Sequence, residues 1–298
     1  MCGIAGLYLK NPALQSRIGK LFVPMLVELT DRGPDSAGFG LYRGGERGIT
    51  KVTVYSPEKG YDWNELAQKA SNALNTQITV ERNHTHAVLR VPSEIDLRGW
   101  LNKNATDLGI MSSGEVLEIY KEVGLPADVL AALGLESMSG THIVGHTRLA
   151  TESGISTMAA HPFNTGDDLC LVHNGSLSNH HHWRQWLSQH AGIVFESDND
   201  SEVAAAYLTW RLREGKTLTE ALEATFEDLN GFFTFAVGTK NGFSVARDPI
   251  GWKHAIIAET DDWVAMATEY RAIAVLPDAK HAEVWEPKPA TVYSWGEA

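Results

Sequence analysis

Apolar and polar positions change period several times along the chain. Residues 3–9 form a short run of apolar, β-compatible residues, the pattern of a buried strand. Ile18, Leu21, Phe22, Met25, Leu26 and Leu29 then recur at helical spacing, and Asp31-Arg32-Gly33-Pro34 supplies the chemistry that stops a helix. Residues 37–43 and 51–55 read as the two strands of a hairpin. From about residue 61 to residue 138 the texture becomes mixed, with helical spacing at 63–74, a strand at 86–91, and further helix at 115–123 and 127–133. With its flanks this stretch, at about 44–140, reads as an inserted, partly helical subdomain within one 1–298 unit.

Strand patterns resume at 141–151 and 169–173, and helices are expected at 179–190, 200–214 and 217–229. Strands at 232–237, 243–247, 254–258 and 263–267 follow, with Asn241-Gly242 marking a hairpin turn. Strands at both ends with helices between them predict an α+β fold, two packed sheets covered by helices. Neither repeats nor low-complexity tracts interrupt this order.

Composition narrows the function classes. The 298 residues carry a net charge of −12 and no dense basic cluster, which argues against a nucleic-acid surface and against an anionic membrane. No apolar run approaches the roughly 20 residues that cross a bilayer, and the start lacks the basic and apolar regions of a secretory leader. A cytoplasmic location is therefore expected. The cysteines are Cys2 and Cys170, too few for a disulfide framework, and Cys170 lies in the apolar run Leu169-Cys170-Leu171-Val172, where a core thiol is expected.

Cys2 occupies the position that removal of Met1 would make N-terminal, with a free α-amine. Such an amine titrates near ~7.7–8.0 and can take up and return the thiol proton, so nucleophile and base come from one residue. Three later segments offer the other groups that amide cleavage needs. Gly145-His146-Thr147-Arg148 ends a strand with a guanidinium fork suited to a carboxylate. Val172-His173-Asn174-Gly175 leaves a strand with an Asn amide and a Gly amide able to point at one oxyanion. Glu196-Ser197-Asp198-Asn199-Asp200-Ser201-Glu202 gathers more acids before a helix than capping requires. His180-His181-His182 sits at a helix start, where three consecutive side chains splay around the axis and do not share a metal ion.

Seven ordered segments resemble the class II glutamine amidotransferases: Met1-Cys2-Gly3-Ile4, residues 31–38, residues 145–151, His161-Pro162-Phe163, His173-Asn174-Gly175, Asp200-Ser201-Glu202 and Arg247-Asp248-Pro249-Ile250-Gly251. The resemblance implies the N-terminal-nucleophile hydrolase fold, an αββα four-layer sandwich. It implies Cys2 as nucleophile, Asn174 and Gly175 as oxyanion hole, Arg148 as the binder of the glutamine α-carboxylate with Thr151 beside it, and Asp200 as the anchor of the α-ammonium, with Asp198 as its competitor. After Thr151 the chain departs from several relatives, carrying Glu152-Ser153-Gly154.

The reaction so implied is hydrolysis of the L-glutamine side-chain amide through a γ-glutamyl thioester, with ammonia as the transferred product. Without a synthase domain the chain resembles the separate amidotransferase subunit of glutamate synthase-like complexes, including N-methylglutamate synthase. FMN and iron–sulfur groups would then belong to the partner subunits of a hetero-oligomer, and no cofactor or metal to this chain. Two other readings remain open on the residues alone: a cysteine hydrolase of another amide, and a catalytically silent glutamine-sensing or structural subunit.

Overall fold

The computed structural model describes residues 2–150 and 154–296. In chain order its elements are β1 (Gly3–Leu9), α1 (Ile18–Val27), β2 (Ser36–Tyr42), β3 (Ile49–Tyr55), α2 (Trp63–Leu74), β4 (Thr79–Asn83), β5 (His86–Pro92) and α3 (Leu97–Asn104). Next come β6 (Gly109–Gly114), β7 (Leu117–Val123), α4 (Pro126–Ala132), β8 (His142–Arg148), β9 (Cys170–Leu177), α5 (His180–His190), α6 (Asp200–Arg213) and α7 (Leu218–Asp228). The chain closes with β10 (Gly231–Gly238), β11 (Gly242–Arg247), β12 (Ile256–Glu259), β13 (Trp263–Ala267), α8 (Tyr270–Ala274), β14 (Glu283–Trp285) and β15 (Thr291–Gly296).

Among the described residues the strands form three antiparallel sheets. The large one runs β14-β12-β13-β1-β8-β2-β7, the second β15-β11-β10-β9 and the third β4-β5-β3-β6. Alternating side chains of β1 divide the core between layers. Ala5, Leu7 and Leu9 pack outward on α1, α4 and α8, with Phe22, Leu26, Leu130 and Ile273. Ile4, two positions from Gly6 on the opposite face, meets Val172, Ala236 and Val245 of the second sheet. The far side of the second sheet is covered by α5, α6 and α7 through Leu187, Val203, Tyr207 and Leu222 against Leu171, Phe233 and Phe235. Helix, sheet, sheet, helix is the αββα order of the N-terminal-nucleophile hydrolases. Cys170 lies wholly buried between the sheets, both cysteines are free thiols, and burial pushes the Cys170 thiol well above its ordinary range.

Two local expectations are overturned. Residues 37–43 and 51–55 make no hairpin with each other: β2 pairs with β7 and β8, whereas β3 pairs with β5 and β6. The first stretch is apolar and aromatic and the second rich in Val and Thr, so both read as strands, but register is fixed by partners that the local pattern does not name. The 115–123 stretch is not helix but strand β7. Its Leu, Glu and Lys favour helix, yet Leu117 and Ile119 face the inter-sheet core and full pairing with β2 outweighs local propensity. Asn241-Gly242 does join a hairpin, β10 to β11.

Within 44–140, residues 49–114 build the third sheet with α2 and α3, around a core of Val52, Trp63, Leu89 and Leu101. β7 and α4 return to the large sheet and its outer layer. The seam between the two sheets is held by a buried carboxylate. Glu118 on β7 accepts from Arg43 Nε at 2.7 Å, Lys51 Nζ at 2.9 Å and Tyr120 OH at 2.9 Å, and its side chain is 0% exposed. Lys51, also buried, has Glu118 as its counter-charge. We predict that Glu118→Ala, which strands that ammonium, destabilises the protein by about 3–5 kcal/mol in chemical denaturation; a loss below about 1 kcal/mol, ordinary for a surface pair, would contradict this.

Candidate active site

β1 enters the large sheet between β8 and β13 and fixes the start of the chain. Gly3 pairs with Thr147, so Cys2 and Arg148 lie one residue beyond that pair on neighbouring strands. The Cys2 sulfur is 4.0 Å from the Leu149 carbonyl oxygen, and the Cys2 carbonyl accepts from Arg32 Nε at 3.4 Å. Arg32 is itself held by Glu269 at 2.9 Å. Two residues past Cys2, Ile4 donates its amide to Thr268 Oγ1 at 2.9 Å.

The 31–35 segment braces the end of β8 from below. Asp35 donates its amide to the Arg148 carbonyl at 3.0 Å and accepts from the Ala150 amide at 2.8 Å. Gly33 approaches so closely that a Cβ there would sit 2.4 Å from the Thr147 carbonyl, so only glycine fits. Arg148 is buried, with Nη1 donating to the Gly154 carbonyl at 3.3 Å. Thr151, Glu152 and the processing of Met1 lie outside the described residues.

Asn174 and Gly175 do not leave the strand as the sequence suggests: they lie within β9, opposite Thr234 and Phe233 of β10, and the ladder runs on to Leu177. By alternation Asn174 shares the face of Cys170 and Val172, and Cys2 that of Ile4, so both residues look into the space between the sheets. Asn174 is 2% exposed, and its Nδ2 has no hydrogen-bond partner among the described residues. Leaving such a donor dry costs about 1–3 kcal/mol, which a bound oxygen acceptor would relieve. Gly175 is walled in: a Cβ would fall 2.0 Å from the Phe232 carbonyl oxygen and 2.5 Å from His173 Nε2.

Asp200 is the first residue of α6, whose cap is Asn199. Its Oδ2 accepts from the Leu177 amide at 2.8 Å, two residues past Gly175, and its Oδ1 accepts from Ser201 Oγ at 3.2 Å. His173 Nδ1 lies 2.8 Å from Ser201 Oγ and 3.7 Å from Asp200 Oδ1. Burial lowers the His173 pKa, opposed by the Asp200 charge. Asp198 stays exposed on the preceding loop, so the structure ties Asp200, and not its competitor, to β9.

The acid-rich run has a structural explanation that its sequence hides. Glu202 is buried and accepts from the Glu196 amide, the Ser197 amide and Ser197 Oγ at 2.7–2.8 Å. Arg184 of α5 holds the same loop from its other side, donating to the Ser197 and Asn199 carbonyls at 2.7 and 2.9 Å. One carboxylate and one guanidinium thereby present Asp200.

Two further residues, His146 and Lys121, are not marked as site candidates by the sequence. His146, two residues before Arg148, places Nε2 3.2 Å from the His173 carbonyl and stacks on His161 at 3.9 Å. Lys121 is 4% exposed and donates to the carbonyls of Ala160, Met158 and Pro162 at 2.8, 3.2 and 3.3 Å. Only the tertiary pairing of β7 with β2 reveals it. A cavity of about 760 Å³ opens beside Lys121, between the third sheet and the 163–167 and 192–197 loops; Cys2, Arg148 and Asn174 do not line it. Among the described residues no group of three His, Cys, Asp or Glu is arranged to hold a metal, and no helix is long and apolar enough to cross a membrane.

Burial pushes the Lys121 pKa down to about 8, against about 10.4 in the unfolded chain. Below pH 8 both states carry the proton and the charge penalty is constant. Between pH 8 and about 10.4 the unfolded state holds more protons, so this residue makes stability rise with pH. We predict a rise on the order of 3 kcal/mol across that window in wild type relative to Lys121→Met. Parallel stability curves for the two proteins would refute the shift.

A family model described as a glutamine amidotransferase domain matches residues 146–275. The chain is 50% identical over 296 residues to a glutamine amidotransferase-like protein, GlxB, of Rhizobium meliloti (strain 1021), covering 99% of this chain and 98% of that protein. It is 32% identical over 157 residues to a glutamine–fructose-6-phosphate aminotransferase of Pseudomonas syringae pv. tomato, covering 53% of this chain and 25% of that one. Among solved structures, a glutamine phosphoribosylpyrophosphate amidotransferase from B. subtilis, complexed with ADP and GMP, matches with a TM-score of 0.60 at 20% identity. That match covers 100% of this chain and 49% of the other, so the chain spans about half its length, and the likeness concerns the fold.

Proposed function

Because the chain belongs to the class II glutamine amidotransferase family, we propose that it hydrolyses the side-chain amide of L-glutamine at Cys2 and passes the ammonia to a synthase subunit. The observation that carries the reading is the buried, unpartnered amide of Asn174, turned into the same inter-sheet space as Cys2.

In this proposal the freed α-amine of Cys2 takes the thiol proton, and the sulfur attacks the amide carbon. The carbonyl electrons move to oxygen, where Asn174 Nδ2 and the Gly175 amide donate. As the C–N bond breaks, the α-ammonium returns the proton to the leaving nitrogen and ammonia departs. The amine then deprotonates water, which cleaves the γ-glutamyl thioester and releases glutamate. Arg148 supplies a bidentate fork for the α-carboxylate. Asp200 keeps acceptor capacity beyond its bonds to Leu177 and Ser201 and takes the α-ammonium. Thr151 is proposed beside the carboxylate.

The acceptor substrate is proposed to be bound by a separate subunit. The match takes up 98% of GlxB but only a quarter of the fructose-6-phosphate aminotransferase, whose name states its own acceptor. The resemblance in sequence favours a glutamate synthase-like partner, N-methylglutamate synthase included, with FMN and iron–sulfur groups on that partner.

Mass spectrometry before and after treatment with a glutamine-analogue diazoketone tests the nucleophile. Loss of Met1 and a single adduct on Cys2 are expected; retained Met1 without an adduct would refute the mechanism. Asn174→Ala should lower glutamine turnover by about 10²–10³-fold while the far-ultraviolet spectrum and melting behaviour stay native. Turnover close to wild type in that variant would remove Asn174 from the oxyanion hole.

A further inference from the structure

We propose that His146 is a positioning residue, holding the sheet that carries Cys2 and Arg148 at a fixed offset from the strand that carries Asn174 by donating its Nε2–H to the His173 carbonyl. The inference rests on the glutaminase reading above and adds a residue to it.

The cross-strand row Lys121, Gly38, His146, Ile4 runs across the large sheet directly behind the Arg148–Cys2 end. Of that row, His146 reaches the second sheet, bonding the carbonyl of the residue before Asn174 at 3.2 Å. Its ring is buried, and burial lowers its pKa to about 3, so it is a neutral imidazole with a single N–H. A carbonyl can only accept, which assigns that hydrogen to Nε2 and leaves Nδ1 bare; Nδ1 has no partner among the described residues.

The ring is also kept from swinging. His161 stacks on it at 3.9 Å and 15°, and Lys121 donates to the carbonyls of Ala160 and Pro162 on either side of His161. A Cβ on Gly38 would lie 2.2 Å from the His161 carbonyl oxygen, so that segment rests directly on β2. Further along the same face of β8, His142 makes a matching bond, Nε2 to the Thr239 carbonyl at 2.9 Å. Two imidazoles four residues apart thus dock one strand onto a carbonyl of β9 near the site and onto a carbonyl of the β10–β11 turn remote from it.

The bond matters because the proposed catalytic groups are divided between the sheets. Apolar packing alone is non-directional and tolerates sliding, whereas a misplacement of about 1 Å at reacting groups can cost about 100-fold in rate. His146→Leu fills the space without a donor, and His146→Gln offers an amide N–H at a similar reach. We expect kcat for glutamine to fall by about 100-fold in His146→Leu, with KM changed by less than roughly threefold, and most of the loss to be restored in His146→Gln. The pH profile of kcat/KM should keep its shape in both, since a ring that does not titrate is no general base. Leu and Gln variants that turn over alike, or a profile that loses a limb, would overturn the proposal. Ring ¹⁵N spectra of the wild type test the clamp apart from catalysis: a non-titrating Nε2–H tautomer supports it, and an Nδ1–H or titrating ring sinks it. Wild-type protein without glutaminase activity but with that tautomer would instead locate the failure in the functional reading.

Discussion

The placement of β1 is the constraint on which the site depends. A chain start is ordinarily among the least ordered parts of a domain. Here the first strand is bonded on both edges, to β8 and to β13, and its side chains alternate between the outer helical layer and the inter-sheet core. Sliding it by one residue would exchange those two faces and expose Ala5, Leu7 and Leu9 to the wrong layer. The register therefore sets the position of Cys2 to within the tolerance of a β ladder, beside the end of β8. The N-terminal nucleophile proposed for Cys2 demands this: a residue that must be free at its amine must also be held in place at its sulfur.

A second consequence concerns polar groups inside the sandwich. The space between the sheets is otherwise lined by Ile4, Val144, Val172, Val245 and Met266, where a charge would be costly. The histidines found there are neutral, His146 and His142 through burial, and each meets a carbonyl. Lys121, the one cation of the cross-strand row behind the site, is surrounded by three carbonyls and has its charge weakened by burial. These are directional bonds placed where apolar packing supplies none, and a network of this kind specifies one arrangement of the layers at the expense of desolvation.

What could be read from the sequence follows the range of the interactions involved. Local pattern located β1, α1, α5, α6, α7 and the β10–β11 hairpin: helical spacing where a helix buries one face, as in α1 and α7, and short apolar runs where a strand is buried on both faces, as in β1 and β11. Spacing and residue type also singled out Cys2 and Arg148, which the fold places at neighbouring strand ends, Asn174, which lies within β9, and Asp200, which starts α6. β7 was hidden because its helix-favouring residues are overruled by pairing with β2, a partner distant in the chain. Glu118 was hidden for the same reason, since its counter-charges Arg43 and Lys51 arrive from across the seam. Glu202 looked like one more capping acid; only the closed loop shows that it folds the backbone back on α6.

The division of groups between sheets explains why this architecture suits the chemistry proposed for it. The sheet containing β1 and β8 bears the sulfur and the guanidinium, and β9 with α6 bears the amide donors and the carboxylate. A substrate bound between them would touch both, so its binding would draw on the same inter-sheet geometry that sets the attack distance. Each sheet is tied by its own hydrogen-bond ladder, whereas the offset between the sheets is set by packing and by the polar bonds that cross the gap. Polar bonds that cross the gap next to Asn174 act on that offset, and those within one sheet cannot.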